Sequence, residues 1–136
     1  MSETMADCIA DTSAIIGLSR HDPTAIAVIG QSNFAITYVT VAELALGIRK
    51  ARKANAALRQ IDRVLQGRQV FYPSELTPLI YAEVCHELEK EGIRIPSNDM
   101  WIAAVALENN LPLVARDEHF TRVKGLRFRV VLTCCG

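Results

Sequence analysis

The chain has 136 residues, half of them hydrophobic, enough for a single compact domain spanning residues 1–136 to bury a core without disulfide or metal staples. Fifteen basic and fifteen acidic residues give a formal net charge of zero, which excludes the bulk positive field of many nucleic-acid binders and leaves only local patches to attract a polyanion. The stretch from Met1 to Asp7 carries acids where a signal peptide carries lysines, and no apolar run approaches bilayer length; the expectation is a cytoplasmic protein with no membrane contact, starting at Met1 or Met5.

In chain order, the first apolar run is Cys8 to Ala10, short enough for a buried strand, and Asp11 follows it at the head of a helix that opens on Thr12, Ser13, Ala14 and Ile15. A second run, Phe34 to Tyr38, precedes a segment of helical period from Val41 to Lys53, with Val41, Leu44, Ala45 and Ile48 as its apolar stripe. Glu43 lies in its first turn, and Thr40 with Glu43 has the spacing of a capping box. The next helix carries Leu58, Ile61 and Leu65 in a stripe that reads either as core or as a docking surface. Gln69 to Tyr72 reads as a third strand, after which Leu76, Ile80, Val84 and Leu88 recur at four-residue steps along a helix from Leu76 to Lys90. Ser97, just after Pro96, reads as the N-cap of a further helix that has Asp99 at its opening, turns Ile102, Val105 and Ala106 inward and ends near Asn109, Asn110 and Pro112. Leu113 to Ala115 and Phe128 to Leu132 complete the strands, with Asp117 just beyond the former.

Short buried strands separated by helices predict an α/β fold, a three-layer sandwich with a central, mainly parallel five-stranded sheet covered on both faces. In such sheets ligand sites form beyond the carboxyl ends of the strands. Asp11, Glu43 and Asp117 therefore approach one sheet edge, and Asp99 joins them only if the fold returns it there. Each acid alone also reads as a helix cap or a first-turn acid stabilised by the helix dipole. Crowded together they repel one another, and a divalent cation removes the conflict. Oxygen donors alone select Mg²⁺ or Mn²⁺ over zinc.

The residues around the four acids form blocks: Asp11-Thr12-Ser13-Ala14, Glu43-Leu44-Ala45-Leu46-Gly47, Asn98-Asp99-Met100-Trp101-Ile102-Ala103-Ala104 and Ala115-Arg116-Asp117-Glu118-His119-Phe120. In this order and spacing they resemble the PIN-domain family of the VapC type. The resemblance implies a metal-dependent endoribonuclease, the toxin of a toxin–antitoxin pair, that hydrolyses RNA phosphodiester bonds with Mg²⁺ or Mn²⁺ held by Asp11, Glu43, Asp99 and Asp117. Asp11 and Asp99 are then the primary ligands, Asp117 a direct or water-mediated one, and Glu43 the residue that orients water or a second ion. Thr12, Ser13 and Asn98 supply supporting hydrogen bonds, or cap their helices. A tRNA or rRNA substrate, a cognate antitoxin and a homodimer are implied with it. The alternative is a catalytically inactive PIN-like module that keeps the acids as caps and docks a protein or RNA. A phospho-acceptor signalling domain also pairs acids at a parallel sheet edge, but here the middle strand ends at Pro73 and Ser74 with no acceptor Asp. Two departures from the family pattern stand out: Ala115 where a Thr or Ser is frequent, and Trp101 where an aliphatic is usual.

Charge is segregated rather than absent. Arg49, Lys50, Arg52, Lys53, Arg59, Arg63 and Arg68 face a single acid, Asp62, over Arg49 to Arg68. Arg49, Lys50, Arg52 and Lys53 are candidate RNA-backbone contacts, or simply a solvated helical surface. His86 reads as a surface residue and His119 as part of a turn whose purpose is the packing of Phe120. Cys8, Cys85, Cys134 and Cys135 show no metal-ligand spacing and read as reduced thiols.

Overall fold

A computed structural model describes residues 5–131; Met1, Leu132, Cys134 and Cys135 lie outside the described residues. Five strands, β1 (Cys8–Ala10), β2 (Phe34–Thr37), β3 (Val70–Phe71), β4 (Leu113–Ala115) and β5 (Phe128–Val130), form one parallel sheet in the order β3-β2-β1-β4-β5. In β1, β2 and β4 every residue is buried. Their continuous apolar runs follow from having helices on both sheet faces. Successive side chains alternate between the faces. Ile9, Leu113 and Ala115 join a core with Val84, Leu88, Ile102, Val105 and Phe120. Cys8, Ala10 and Val114 join the opposite core with Ile15, Ala25, Ile29 and Ile61. Those two cores are the two interfaces of the expected three-layer sandwich.

The helices are α1 (Thr12–Ser19), α2 (Pro23–Ile29), α3 (Tyr38–Lys50), α4 (Ala54–Leu65), α5 (Thr77–Lys90) and α6 (Ser97–Glu108), with a 3-10 turn at Glu118–Arg122. The apolar period gave no warning of α2, yet its signals stand in the sequence: Asp22 caps it by accepting from the Ala25 amide at 3.2 Å, and Pro23 sits at its first position. Gly17 lets α1 and α2 meet closely, since a Cβ there would lie 3.0 Å from the Ala25 Cβ.

Four expected details change. Strand β2 stops at Thr37 and α3 starts at Tyr38, because the Thr37 hydroxyl accepts from the Thr40 amide at 3.3 Å and so caps the helix three residues before the expected position. The line α3 turns inward is Thr40, Leu44 and Ile48, with Val41 at 38% exposure and Ala45 outside it. A polar residue at the head of that line hid it from a reading by hydrophobicity. On α5 the same thing happens: Leu76 precedes the helix and is exposed, while Thr77 is buried, its hydroxyl donating to Glu108 Oε1 at 2.7 Å and accepting from the Ser74 amide at 2.8 Å. Ser97 is the first helical residue of α6 and Pro96 the N-cap, without a side-chain capping bond. On α4, Ile61 and Leu65 belong to the core and Leu58 is exposed. Among the described residues no helix is long and apolar enough to cross a membrane, and Cys8 and Cys85 are free thiols.

Candidate active site

Asp11 leaves the carboxyl end of β1 in extended backbone conformation and caps α1. Its Oδ1 accepts from the Ala14 amide at 3.1 Å and from the Ser13 hydroxyl at 2.6 Å. Ser13 Oγ in turn accepts from the Arg116 amide at 3.1 Å, so one hydroxyl ties the end of β1 to the end of β4. Asp11 is only 6% exposed. Burial lifts its carboxyl from the usual 3.8 to about 6; the bonds from Ser13 and Ala14 oppose the lift, and the negative charges of Asp99 and Glu43 add to it.

Glu43 lies in the second turn of α3, too far from the Thr37 cap to complete a capping box. Its Oε1 instead accepts from the Thr12 hydroxyl at 2.6 Å, and Thr12 Oγ1 also lies 3.3 Å from Thr40 Oγ1. Asp99 is the third residue of α6, where the helix dipole favours an anion. Its carboxyl is nevertheless raised, by burial first, with Glu43 and Asp117 adding to the rise and the neighbouring His119 opposing it. Asp117 follows β4, precedes the 3-10 turn without capping it through its side chain, and is largely exposed. The charges of Asp99 and Glu43 thus act on Asp11, and those of Glu43 and Asp117 on Asp99. The structure brings the acids of all four sequence blocks to the carboxyl edge of the sheet.

His119 is the residue that sequence reasoning missed. Its ring does pack on Phe120, with centroids 4.7 Å apart, but Nε2 also lies 2.9 Å from Asp99 Oδ2 and Nδ1 3.6 Å from Asp117 Oδ1. Nε2 is shut off from solvent and, beside its ion pair with Asp99, has no aligned hydrogen bond among the described residues. Potential ligand atoms of Asp99, Asp117 and His119 all lie within 4.8 Å of one another. Crowded carboxylates and an unsatisfied ring nitrogen fit a divalent cation, although the donor set is not the all-oxygen one expected. Only the adjacency of His119 to Asp117 in sequence hinted at this, since the contact with Asp99 depends on the fold.

The supporting residues divide. Thr12 and Ser13 hold Glu43 and Asp11 respectively, whereas Asn98 is exposed and makes no side-chain hydrogen bond among the described residues. Ala115 is fully buried and its carbonyl accepts from the Val131 amide at 2.8 Å, so the methyl offers the acids nothing. Trp101 stacks on Tyr81 with centroids 4.0 Å apart, a packing contact between α6 and α5. Arg49 and Lys50 end α3, Arg52 and Lys53 follow it, and all four are exposed. A groove of about 210 Å³ between α1, α3 and α4 reaches Glu43 through Gly47 and Ile48 and has Arg20 in its wall; Arg52 and Lys53 line an adjoining hollow that shares Ala51, Ala57 and Gln60 with it. Arg68 is committed elsewhere, its guanidinium 3.8 Å over the Phe34 ring and donating to the Ser32 carbonyl at 3.0 Å.

Residues 8–126 match the PIN domain family. The chain is 30% identical over 125 residues to ribonuclease VapC1 of Haemophilus influenzae strain R2866, which covers 88% of this chain and 93% of that protein. It is 32% identical over 117 residues to ribonuclease VapC4 of Mycobacterium tuberculosis, covering 82% and 87% respectively. Among solved structures, that of VapBC-1 from nontypeable Haemophilus influenzae superposes with a TM-score of 0.77 at 27% identity, covering 90% of this chain and 96% of that one.

Proposed function

Since this chain belongs to the PIN-domain family, we propose that it is an endoribonuclease, dependent on Mg²⁺ or Mn²⁺, that hydrolyses RNA phosphodiester bonds and acts as the toxin of a toxin–antitoxin pair. The observation that carries the reading is the convergence of Asp11, Glu43, Asp99 and Asp117 on one sheet edge, with Asp11 buried there. A cap alone does not require this, because asparagine caps a helix as well as aspartate. An ionised Asp11 opposes folding by about 3 kcal/mol at neutral pH, given its lift from 3.8 to about 6, and a resident cation offsets that penalty. A bound divalent ion lowers the pKa of its water and polarises a phosphoryl oxygen, so no side-chain base of ordinary pKa is required.

Asp11 and Asp99 are the primary ligands in this reading, and Asp117 stands at the exposed mouth of the site. Glu43, fixed by Thr12, orients the attacking water. Ser13 keeps Asp11 in register with the end of β4. Arg49, Lys50, Arg52 and Lys53 attract the RNA backbone, and the hollow that Arg52 and Lys53 line adjoins the groove that reaches Glu43. The relatives named ribonuclease VapC support RNA as the substrate, and the related structure named VapBC-1 supports a cognate antitoxin; a tRNA or rRNA target and assembly as a homodimer are part of the same proposal.

The test is digestion of total RNA by the purified chain with and without EDTA, beside Asp11→Asn and Asp99→Asn. Cleavage that needs a divalent ion and disappears in both variants supports the reading. Cutting at the parent rate by either variant, or in EDTA, would falsify it.

A further inference from the structure

The position of His119 carries a statement about which ion the site accepts, and it rests on the reading of the acids as a metal centre. Two ligand atoms bound at right angles to one cation through bonds of about 2.1 Å stand about 3.0 Å apart. His119 Nε2 and Asp99 Oδ2 are 2.9 Å apart, a separation that an ordinary histidine–carboxylate ion pair shares, but Nε2 is buried without an aligned hydrogen bond among the described residues. The other ring nitrogen faces Asp117 Oδ1 at 3.6 Å. Metal-bound histidines commonly have this arrangement, with one nitrogen to the ion and the other turned to a carboxylate that fixes tautomer and ring orientation. The ring has little freedom to be elsewhere, because it lies against Phe120, which is fully buried.

We propose that His119 Nε2 is a ligand of the same ion as Asp99, positioned through Nδ1 by Asp117, and that this nitrogen makes the site select Mn²⁺ over Mg²⁺. Mg²⁺ takes oxygen ligands and retains its waters, whereas imidazole suits transition ions; Mn²⁺ is the weakest of these for nitrogen but, as one of them, tolerates it better than Mg²⁺ does. Asp117 keeps a second carboxylate oxygen for the ion or its water.

The experiment uses the full chain stripped of metal, with Mn²⁺ and Mg²⁺ as the only added ligands. Mn²⁺ binding is followed by loss of the free-ion electron paramagnetic resonance signal, Mg²⁺ by competition, and nitrogen coordination by electron spin-echo modulation with and without ¹⁵N-histidine. The expected result is imidazole nitrogen modulation that changes on labelling, and Mn²⁺ bound more tightly than Mg²⁺ by a ratio that falls in His119→Gln. His119→Gln should lose both the modulation and most of the preference while still binding Mn²⁺ through Asp99. Absence of histidine modulation in the parent overturns the proposal, and so does an unchanged Mn²⁺ to Mg²⁺ ratio in His119→Gln. If His119→Gln fails to fold, the labelled parent still decides. A different failure marks the underlying metal-centre reading: Mn²⁺ bound as tightly by Asp99→Asn as by the parent.

Discussion

Asp11 is held at the site by opposing demands, and its substitution separates them. Asparagine keeps an oxygen for the Ala14 amide and the Ser13 hydroxyl but carries no charge to desolvate. Asp11→Asn should therefore raise the melting temperature of the metal-free protein at pH 7.5 by roughly 5 °C or more while abolishing RNA cleavage. Differential scanning calorimetry in EDTA checks the first part. The pH dependence follows from the same group. Its folded-state pKa of about 6 exceeds the usual 3.8, so between those values the native state binds more protons than the unfolded chain. Its contribution to stability is complete below the unfolded value and disappears as pH rises through the folded one, a swing of about 3 kcal/mol. Asp99, also raised, acts in the same direction. The stability difference between parent and Asp11→Asn, measured by urea unfolding from pH 4 to 7.5, should widen in the variant's favour with rising pH, and saturating Mn²⁺ should narrow it. At this scale the sequence identified each acid by the strand or helix end beside it, but not His119, whose contact with Asp99 spans twenty positions that only α6 and β4 bring together.

Among the elements, the buried strands were legible because a sheet covered on both faces needs unbroken apolar runs, and β1, β2 and β4 have them. The helix faces were harder. Thr40 and Thr77 occupy inward positions as hydrogen-bonded hydroxyls, so hydrophobic period alone puts Val41 and Leu76 at the heads of lines whose later members, Leu44 and Ile48 on α3 and Ile80, Val84 and Leu88 on α5, it places correctly. Thr37 decides where α3 begins, and its removal makes a simple test: Thr37→Ala should cost about 1 kcal/mol of stability in urea unfolding. Shape matters where α1 crosses α2. With the Ala25 Cβ already 3.0 Å from where a Cβ on Gly17 would lie, Gly17→Val should destabilise by about 1–3 kcal/mol in the same assay.

For the molecule as a whole, a net charge of zero conceals a basic corner beside an acidic edge. Arg49 and Lys50 end the helix that carries Glu43, and Arg52 and Lys53 follow it, so under the proposed function RNA drawn to them would be led toward the acids. Replacing all four with Ala in an Asp99→Asn background should weaken RNA binding at low salt and flatten the dependence of log Kd on log salt, by up to about three in slope if each meets a phosphate. Filter binding across a salt series measures this, and an unaltered slope would take these residues out of the RNA path. The layered fold was readable from the alternation of strands and helices, but the return of Asp99 was not. It depends on α6 packing beside α5 and feeding β4 back alongside β1, a long-range closure that no local pattern encodes. The desolvated carboxylate at the end of β1 also bears on how long the protein persists. If the proposed ion is resident there, its loss at neutral pH would leave a buried negative charge that favours opening, so a metal-starved cell should hold the more perishable form. Protease digestion timed with and without a chelator should show the stripped protein cut first.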